Sequence, residues 1–290
     1  MISSPSEPRL AKKDLEIAVD GFVNKPPSID MVYDGLKTAP EQICKVNSWL
    51  NERGAIYFKP IGAVTCGGFG LAKAIKHTNQ IELCAPSLEL HDLCRELELK
   101  EGEPFLEFTD SLHAVQKIVD AYKNCRYLPA TVQAGLRIPL YEGCAWEIRN
   151  IFFMGEGLQW LGSYVKVGDD EHFATVEQGG HRELPQKVLD ATMGGIAQWY
   201  EVEQLAIAAS CANPVYSLLR ERCDRDIHTR LFSIDLAPDE DVPSLVEVQY
   251  GPSYEGAVDA FNHFDAEALD RTRDAFQWVA ERDPTRFELR

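Results

Sequence analysis

Two apolar segments near the end of the chain, Phe232-Ser233-Ile234-Asp235-Leu236 and Leu245-Val246-Glu247-Val248-Gln249-Tyr250, most constrain the fold. Each reads as a strand, Leu231–Leu236 and Leu245–Tyr250, with polar groups set into an apolar run. Strand side chains alternate between faces, so Glu247 and Gln249 share one. If the strands pair, Asp235 joins them and three oxygen ligands converge. Two carboxylates and a carboxamide suit Mg2+, which takes hard oxygen ligands and keeps waters and phosphates as the others. Without a metal the paired carboxylates would repel, driving one toward protonation. Two polar edge strands are the alternative, and Ile234, Leu236, Val246 and Val248 argue against it because they imply a packed sheet.

Two other segments carry chemistry. In Trp146-Glu147-Ile148-Arg149-Asn150-Ile151-Phe152-Phe153, alternation sets Glu147 and Arg149 on one face of an apolar strand, where charge needs partners. They meet either a ligand or each other and water at a sheet surface. In Tyr57-Phe58-Lys59-Pro60, a lysine ends a buried strand before Cys66-Gly67-Gly68-Phe69-Gly70. Glycines let backbone N–H groups approach an anion closely, so this outlines a phosphate site. It is not a Walker loop, because GxxxxGK[ST] is absent. Taken alone, it reads more simply as a surface lysine beside a turn.

The remaining pattern is α+β. Residues 1–13 read as a tail. Thr38-Ala39-Pro40-Glu41 has capping-box spacing and opens a helix with Ile43, Val46 and Leu50 on one stripe, ended by Arg53-Gly54. Leu71–Leu83 and Glu103–Phe108 look strand-like, and Asp110 caps a helix carrying Leu112, Val115, Ile118, Val119 and Tyr122. Ala130–Ala134, Trp146–Met154 and Leu158–Val167 read as strands, the last two as a hairpin around Gly155-Glu156-Gly157. Helices are expected from Pro185 to about Ala212, interrupted near Gly194-Gly195, from Pro214 to about Cys223, and over Ala266–Arg282.

Acidic residues number 46 against 29 basic ones, a net charge of −17. Such a surface repels nucleic acid and anionic lipid, and no basic stripe offsets it, so neither is expected as a partner. No apolar run is long enough to span a membrane. The polar start lacks a secretion signal, so a cytoplasmic location is expected. The eight cysteines form no CxxC and have no His at zinc-finger spacing, so most are expected to be reduced core residues.

In this order the segments resemble the ATP-grasp superfamily over nearly the whole chain, with likeness to glutathione-synthetase-like and spore-coat-associated members. Phe58-Lys59-Pro60 with Gly67, Gly68 and Gly70 looks like the family's strand lysine and phosphate-covering loop. Val132-Gln133-Ala134-Gly135-Leu136 looks like the hinge that meets adenine through its backbone. Trp146-Glu147-Ile148-Arg149 is similar to its acidic-x-arginine strand, and Phe173–Gly180 to the loop before its large helix. Asp235, Glu247 and Gln249 match its metal trio, with Gln249 in place of the usual Asn.

The resemblance implies two α+β subdomains with nucleotide between antiparallel sheets: a lead-in over 1–24, a first subdomain over 25–134 with the glycine loop, and a second over 135–290 with the metal site. It implies ATP and Mg2+ as cofactors. Lys59 and an earlier lysine, best matched by Lys25 with Lys37 behind it, would contact phosphates. Gln133, Ala134 and Gly135 would meet adenine, and Glu147 ribose or a metal-bound network. Arg149 would stabilise the transferring phosphoryl group, and Lys166 lies where relatives often carry another arginine. The expected activity is a carboxylate–amine ligase forming C–N bonds through an acyl phosphate, on small-molecule or peptide substrates. A kinase giving a stable phosphorylated product, or a non-catalytic nucleotide-binding protein, are the alternatives. Only two dozen residues precede Lys25, so the separate N-terminal α/β domain common in such ligases is expected to be absent, leaving room for a homo-oligomer or a partner chain that supplies it.

Overall fold

The computed structural model describes residues 12–31, 40–61, 71–85, 90–100, 102–174, 176, 179–223, 230–250, 254–262 and 265–282. Two antiparallel sheets organise the chain. The first joins β1 (Ser28–Met31), β2 (Ala55–Pro60), β3 (Ala72–Lys76), β4 (Gln80–Cys84), β5 (Phe105–Glu107) and β6 (Ala130–Ala134), in the order β1-β6-β2-β3-β4-β5. The second joins β7 (Trp146–Met154), β8 (Leu158–Val167), β9 (His181–Glu183), β10 (Leu231–Asp239) and β11 (Val242–Tyr250), in the order β11-β10-β7-β8-β9.

One face of the first sheet is covered by α2 (Pro40–Arg53) and α4 (Ser111–Asn124). In α2, Ile43, Val46, Trp49 and Leu50 recur at helical spacing and are buried against Ile56 and Phe58. The helix stops at Gly54, whose φ of +75° suits a residue without a Cβ. Asp110 caps α4 as expected, accepting from the Leu112 N–H at 3.0 Å. The Thr38 end of the expected capping box lies outside the described residues. Because β2 alternates, Tyr57 and Lys59 point away from this helical core, and register places Gln133 beside Tyr57 and Thr131 beside Lys59. Between β4 and β5 the chain forms a short helix, α3 (Leu90–Glu96).

The second sheet packs its far face on α5 (Pro185–Thr192) and α6 (Ala197–Cys223). Here the structure corrects the sequence reading: Pro214 does not divide two helices but lies inside α6. An interior proline costs about 3 kcal/mol. The buried row Ala208, Cys211, Ala212, Val215 and Leu219, continuous on both sides of Pro214, offsets it by packing on Phe232, Ile234 and Val248. A second difference is α1 (Lys12–Ala18), in a stretch read as tail and lead-in; its Leu15, and Val19 just beyond it, are buried in this same core. The near face of the second sheet is covered at one end by α7 (Tyr254–Asn262) and α8 (Ala266–Arg282). There Gly162 lets α8 approach, since a Cβ would lie 2.7 Å from that of Ala268. No described helix is long and apolar enough to cross a membrane.

The cysteine expectation also needs correction. Among the described cysteines, Cys211 is buried, Cys44 is exposed, and Cys84, Cys94, Cys125 and Cys144 are half-buried.

Candidate active site

The register of the second sheet assembles the site. Asp235 lies opposite Arg149 on one side and Glu247 on the other, Ser233 lies opposite Gln249, Glu147 opposite Lys166, and Arg149 opposite Tyr164. Residues opposite each other in a ladder share a face. Glu147, Arg149, Lys166, Asp235, Glu247 and Gln249 therefore occupy one face, while Ile148, Val165, Ile234 and Val248 line the helical side.

Asp235 is at the centre and wholly buried. Arg149 grips it with two nitrogens: Nε donates to Oδ1 at 3.0 Å and Nη2 to Oδ2 at 2.6 Å. The same Nη2 donates to the Gln249 amide oxygen at 2.9 Å. Lys166 donates to Asp235 Oδ2 at 3.0 Å and pairs with Glu147. Buried charges survive when matched in this way. Burial alone would raise the Asp235 carboxyl, but Arg149 and Lys166 outweigh it and hold the group well below the usual carboxylate range. For Asp235, these two cations hold off the protonation that the sequence reading expected of one of the two facing carboxylates in the absence of a metal. Glu147 behaves oppositely, because burial and the nearby Asp235 charge push it up more than Lys166 and Arg149 draw it down.

The first sheet closes over this face. Lys59 reaches the Val246 carbonyl of β11 at 3.3 Å, and burial lowers its ammonium pKa despite the nearby Glu147. The Tyr57 hydroxyl donates to the His172 carbonyl at 3.3 Å, and its ring meets Phe173 edge-on, 6.0 Å between centroids. Lys73 donates to the Glu171 carbonyl at 3.3 Å. The loop after β8 is thus held against the polar face of the first sheet. Asp170 shapes that loop by accepting from the His172 and Phe173 N–H groups, at 2.7 and 3.2 Å.

Of the sequence-predicted residues, the structure gathers Glu147, Arg149, Lys166, Asp235 and Gln249 into one network, with Glu247 adjacent in register and Lys59 across the gap. Lys25 is not brought there: its ammonium is engaged by the Glu16 carbonyl and Asp20, closing the end of α1. The expected hinge segment is packed against neighbouring strands. The Ala134 N–H donates to the Pro27 carbonyl and that of Gly135 to the Ala55 carbonyl, both at 2.8 Å, so these two N–H groups are already engaged, while Gln133 faces the cleft. The cause is the chain on either side of this segment: residues 27–31 run along β6, and Gly135 fits so tightly that a Cβ would lie 2.9 Å from Ala55 O. Gly67, Gly68, Gly70 and Lys37 lie outside the described residues, as does Gln178. Sequence reasoning missed Tyr57 and Tyr164, each two residues before a site lysine and hence on its face. It also missed Ser233, whose buried Oγ has no partner among the described residues and which shares the Asp235 face.

The oxygen donors fit a hydrated Mg2+. Each carboxylate oxygen has two lone pairs, and Asp235 Oδ1 accepts one Arg149 N–H, leaving a position beside Glu247 and the Gln249 amide.

No protein-family model and no curated protein matches this chain. Solved structures do. D-cycloserine synthetase DcsG superposes over 94% of this chain and 70% of its own, with a TM-score of 0.50 and 15% identity. D-alanyl-alanine synthetase A from Vibrio cholerae gives 0.48 at 11% identity over 93% of this chain, which spans 64% of that enzyme's length. Macrocyclase MdnC from Microcystis aeruginosa, solved with its precursor peptide MdnA, gives 0.41 at 11% identity over 92% of this chain and 60% of its own. With its two antiparallel sheets in this arrangement, the chain has the ATP-grasp fold.

Proposed function

We propose that the protein is an ATP- and Mg2+-dependent carboxylate–amine ligase that activates its acid as an acyl phosphate. The observation that carries this is the polar face of the second sheet, where Arg149, Lys166 and three oxygen donors face Lys59. Related structures that are named as synthetases and a macrocyclase agree with it in kind and say nothing of the substrate.

On this reading Asp235, Glu247 and Gln249 would hold the metal that accompanies ATP, and it would supply positive charge against the phosphates. Lys59 approaches the phosphates from the first sheet, where little solvent screens it. A charge pair at 4 Å is worth about 1 kcal/mol in water and about 4 at an effective dielectric near 20. Arg149 is oriented from two sides, by Asp235 and Gln249, which leaves Nη1 as the donor for the transferring phosphoryl. A donor fixed before the reaction costs no reorganisation during it. Lys166, held by Glu147 and Asp235, keeps a second positive charge beside it. We further propose that residues 25–134 and 135–290 move as two bodies, with α1 travelling with the second because Leu15 and Val19 are buried there. Lys59 must part from Val246 to admit nucleotide, so opening precedes binding.

Hydroxylamine supplied with ATP, Mg2+ and a panel of carboxylic acids tests the reading. An acyl hydroxamate is expected with the accepted acid. A stable phosphorylated product instead would make the protein a kinase, and ATP binding with no turnover on any acid would make it a non-catalytic binder.

A further inference from the structure

Apart from the charged network of the second sheet, on the polar face of the first, Glu82, Cys84 and His172 bring a carboxylate oxygen, a thiol sulfur and an imidazole nitrogen all within 4.8 Å of one another. Glu82 and Cys84 are two apart on β4 and share a face. His172 arrives 88 residues later from the loop after β8, so no sequence spacing announces the group. Its Nδ1 is buried with no partner among the described residues. A buried ring nitrogen without a hydrogen bond calls for an explanation, and a metal is one. The His77 ring nitrogen lies 3.0 Å from Glu82 Oε2, so the carboxylate is held from the side of β4 as well. Lys73, opposite Cys84 in the ladder, is turned onto the Glu171 carbonyl and over the Tyr57 ring at 5.5 Å.

We propose that Glu82, Cys84 and His172 form a site for a borderline divalent cation of the Zn2+ class, which fastens the loop after β8 to the first sheet. One sulfur, one nitrogen and one oxygen match the ligand types of Zn2+ and exclude Mg2+ and Ca2+, which prefer oxygen throughout. Three protein ligands leave a fourth tetrahedral position for water. As the metal–sulfur bond forms, the thiol proton leaves to solvent. The loop is already preset by Asp170 and held by Tyr57 and Lys73, so little ordering remains for the metal to impose. Because Glu82 and Cys84 belong to one sheet and His172 to the loop leaving the other, an occupied site ties the two halves beside the cleft. The site stands whether or not the protein is a ligase.

The test is a Co2+ titration of the chelator-treated full chain under reducing conditions, read by the near-ultraviolet thiolate-to-cobalt charge-transfer band. The wild type should show the band at one equivalent and lose it on adding Zn2+. Cys84→Ser should abolish the band. His172→Ala should weaken binding by at least the about 10–100-fold typical of losing even an outer-shell partner. Absence of the band in the wild type, its survival in Cys84→Ser, or unchanged affinity in His172→Ala would each overturn the proposal. None of these readings involves ATP turnover, so they fail or succeed independently of the ligase assignment.

Discussion

Asp235 concentrates the residue-scale chemistry, because it is wholly buried between Arg149 and Lys166 and faces Glu247 in register. Removing one partner of such a network leaves the others uncompensated, so Asp235→Asn should cost about 3–5 kcal/mol of stability. The pH dependence has a definite sign. The folded carboxyl lies below its unfolded value near 3.9, so its contribution is complete above that value and is lost as pH falls toward the folded value. Urea unfolding between about pH 4 and pH 2 should therefore steepen with acid in the wild type and flatten in Asp235→Asn; parallel curves would refute the buried ion pair. Arg149→Ala addresses catalysis. Losing one preorganised donor typically lowers kcat about 10²–10³-fold, and ATP affinity should change far less. An equal loss in both would show that Arg149 holds the ground state. These residues were legible in the sequence because period-two alternation turns a polar residue in an apolar strand into a statement about a face. Lys25 was misjudged for the converse reason: before the first strand no alternation fixes its direction, and the end of α1 claims it.

At the scale of elements, the second half of the chain matched its pattern well: β7, β8 and α8 fall where the periodicity placed them. What failed was decided by tertiary contact. β1 has four residues and gains its place by pairing with β6, and α1 is a helix because its apolar side rests on α6 and β11. Neither could be read locally, since a short segment carries too few residues to show a period. Likewise Asn150, on the helical face of β7, is satisfied by Gln204 of α6 at 3.0 Å and by Ser163 at 2.6 Å, partners far from it in sequence. The loop after β8 offers an element-scale test. Gly168 begins it, and a Cβ there would lie 1.9 Å from the Phe173 carbonyl oxygen, inside any tolerable contact. Gly168→Ala should force the loop off Tyr57 and lower stability by about 1–3 kcal/mol, as overpacking does elsewhere. An unchanged urea midpoint would mean that the loop is not packed as described.

For the whole molecule, two sheets present polar faces to one another, and under the proposed function neither face alone would serve a nucleotide. The first brings Lys59 with few other cations, and the second brings Arg149, Lys166 and the oxygen donors. A chain of net charge −17 has little long-range attraction for ATP, so the proposed affinity would have to come from these few placed groups. Calorimetric titration of ATP with Mg2+ into the wild type and Lys59→Ala, with circular dichroism confirming that both are folded, tests this most directly. A buried charged hydrogen bond is worth about 1.5–3 kcal/mol, so Lys59→Ala should raise the ATP Kd about 10–100-fold. Equal affinity in the two proteins, or no ATP binding by the wild type, would contradict a nucleotide site between the sheets.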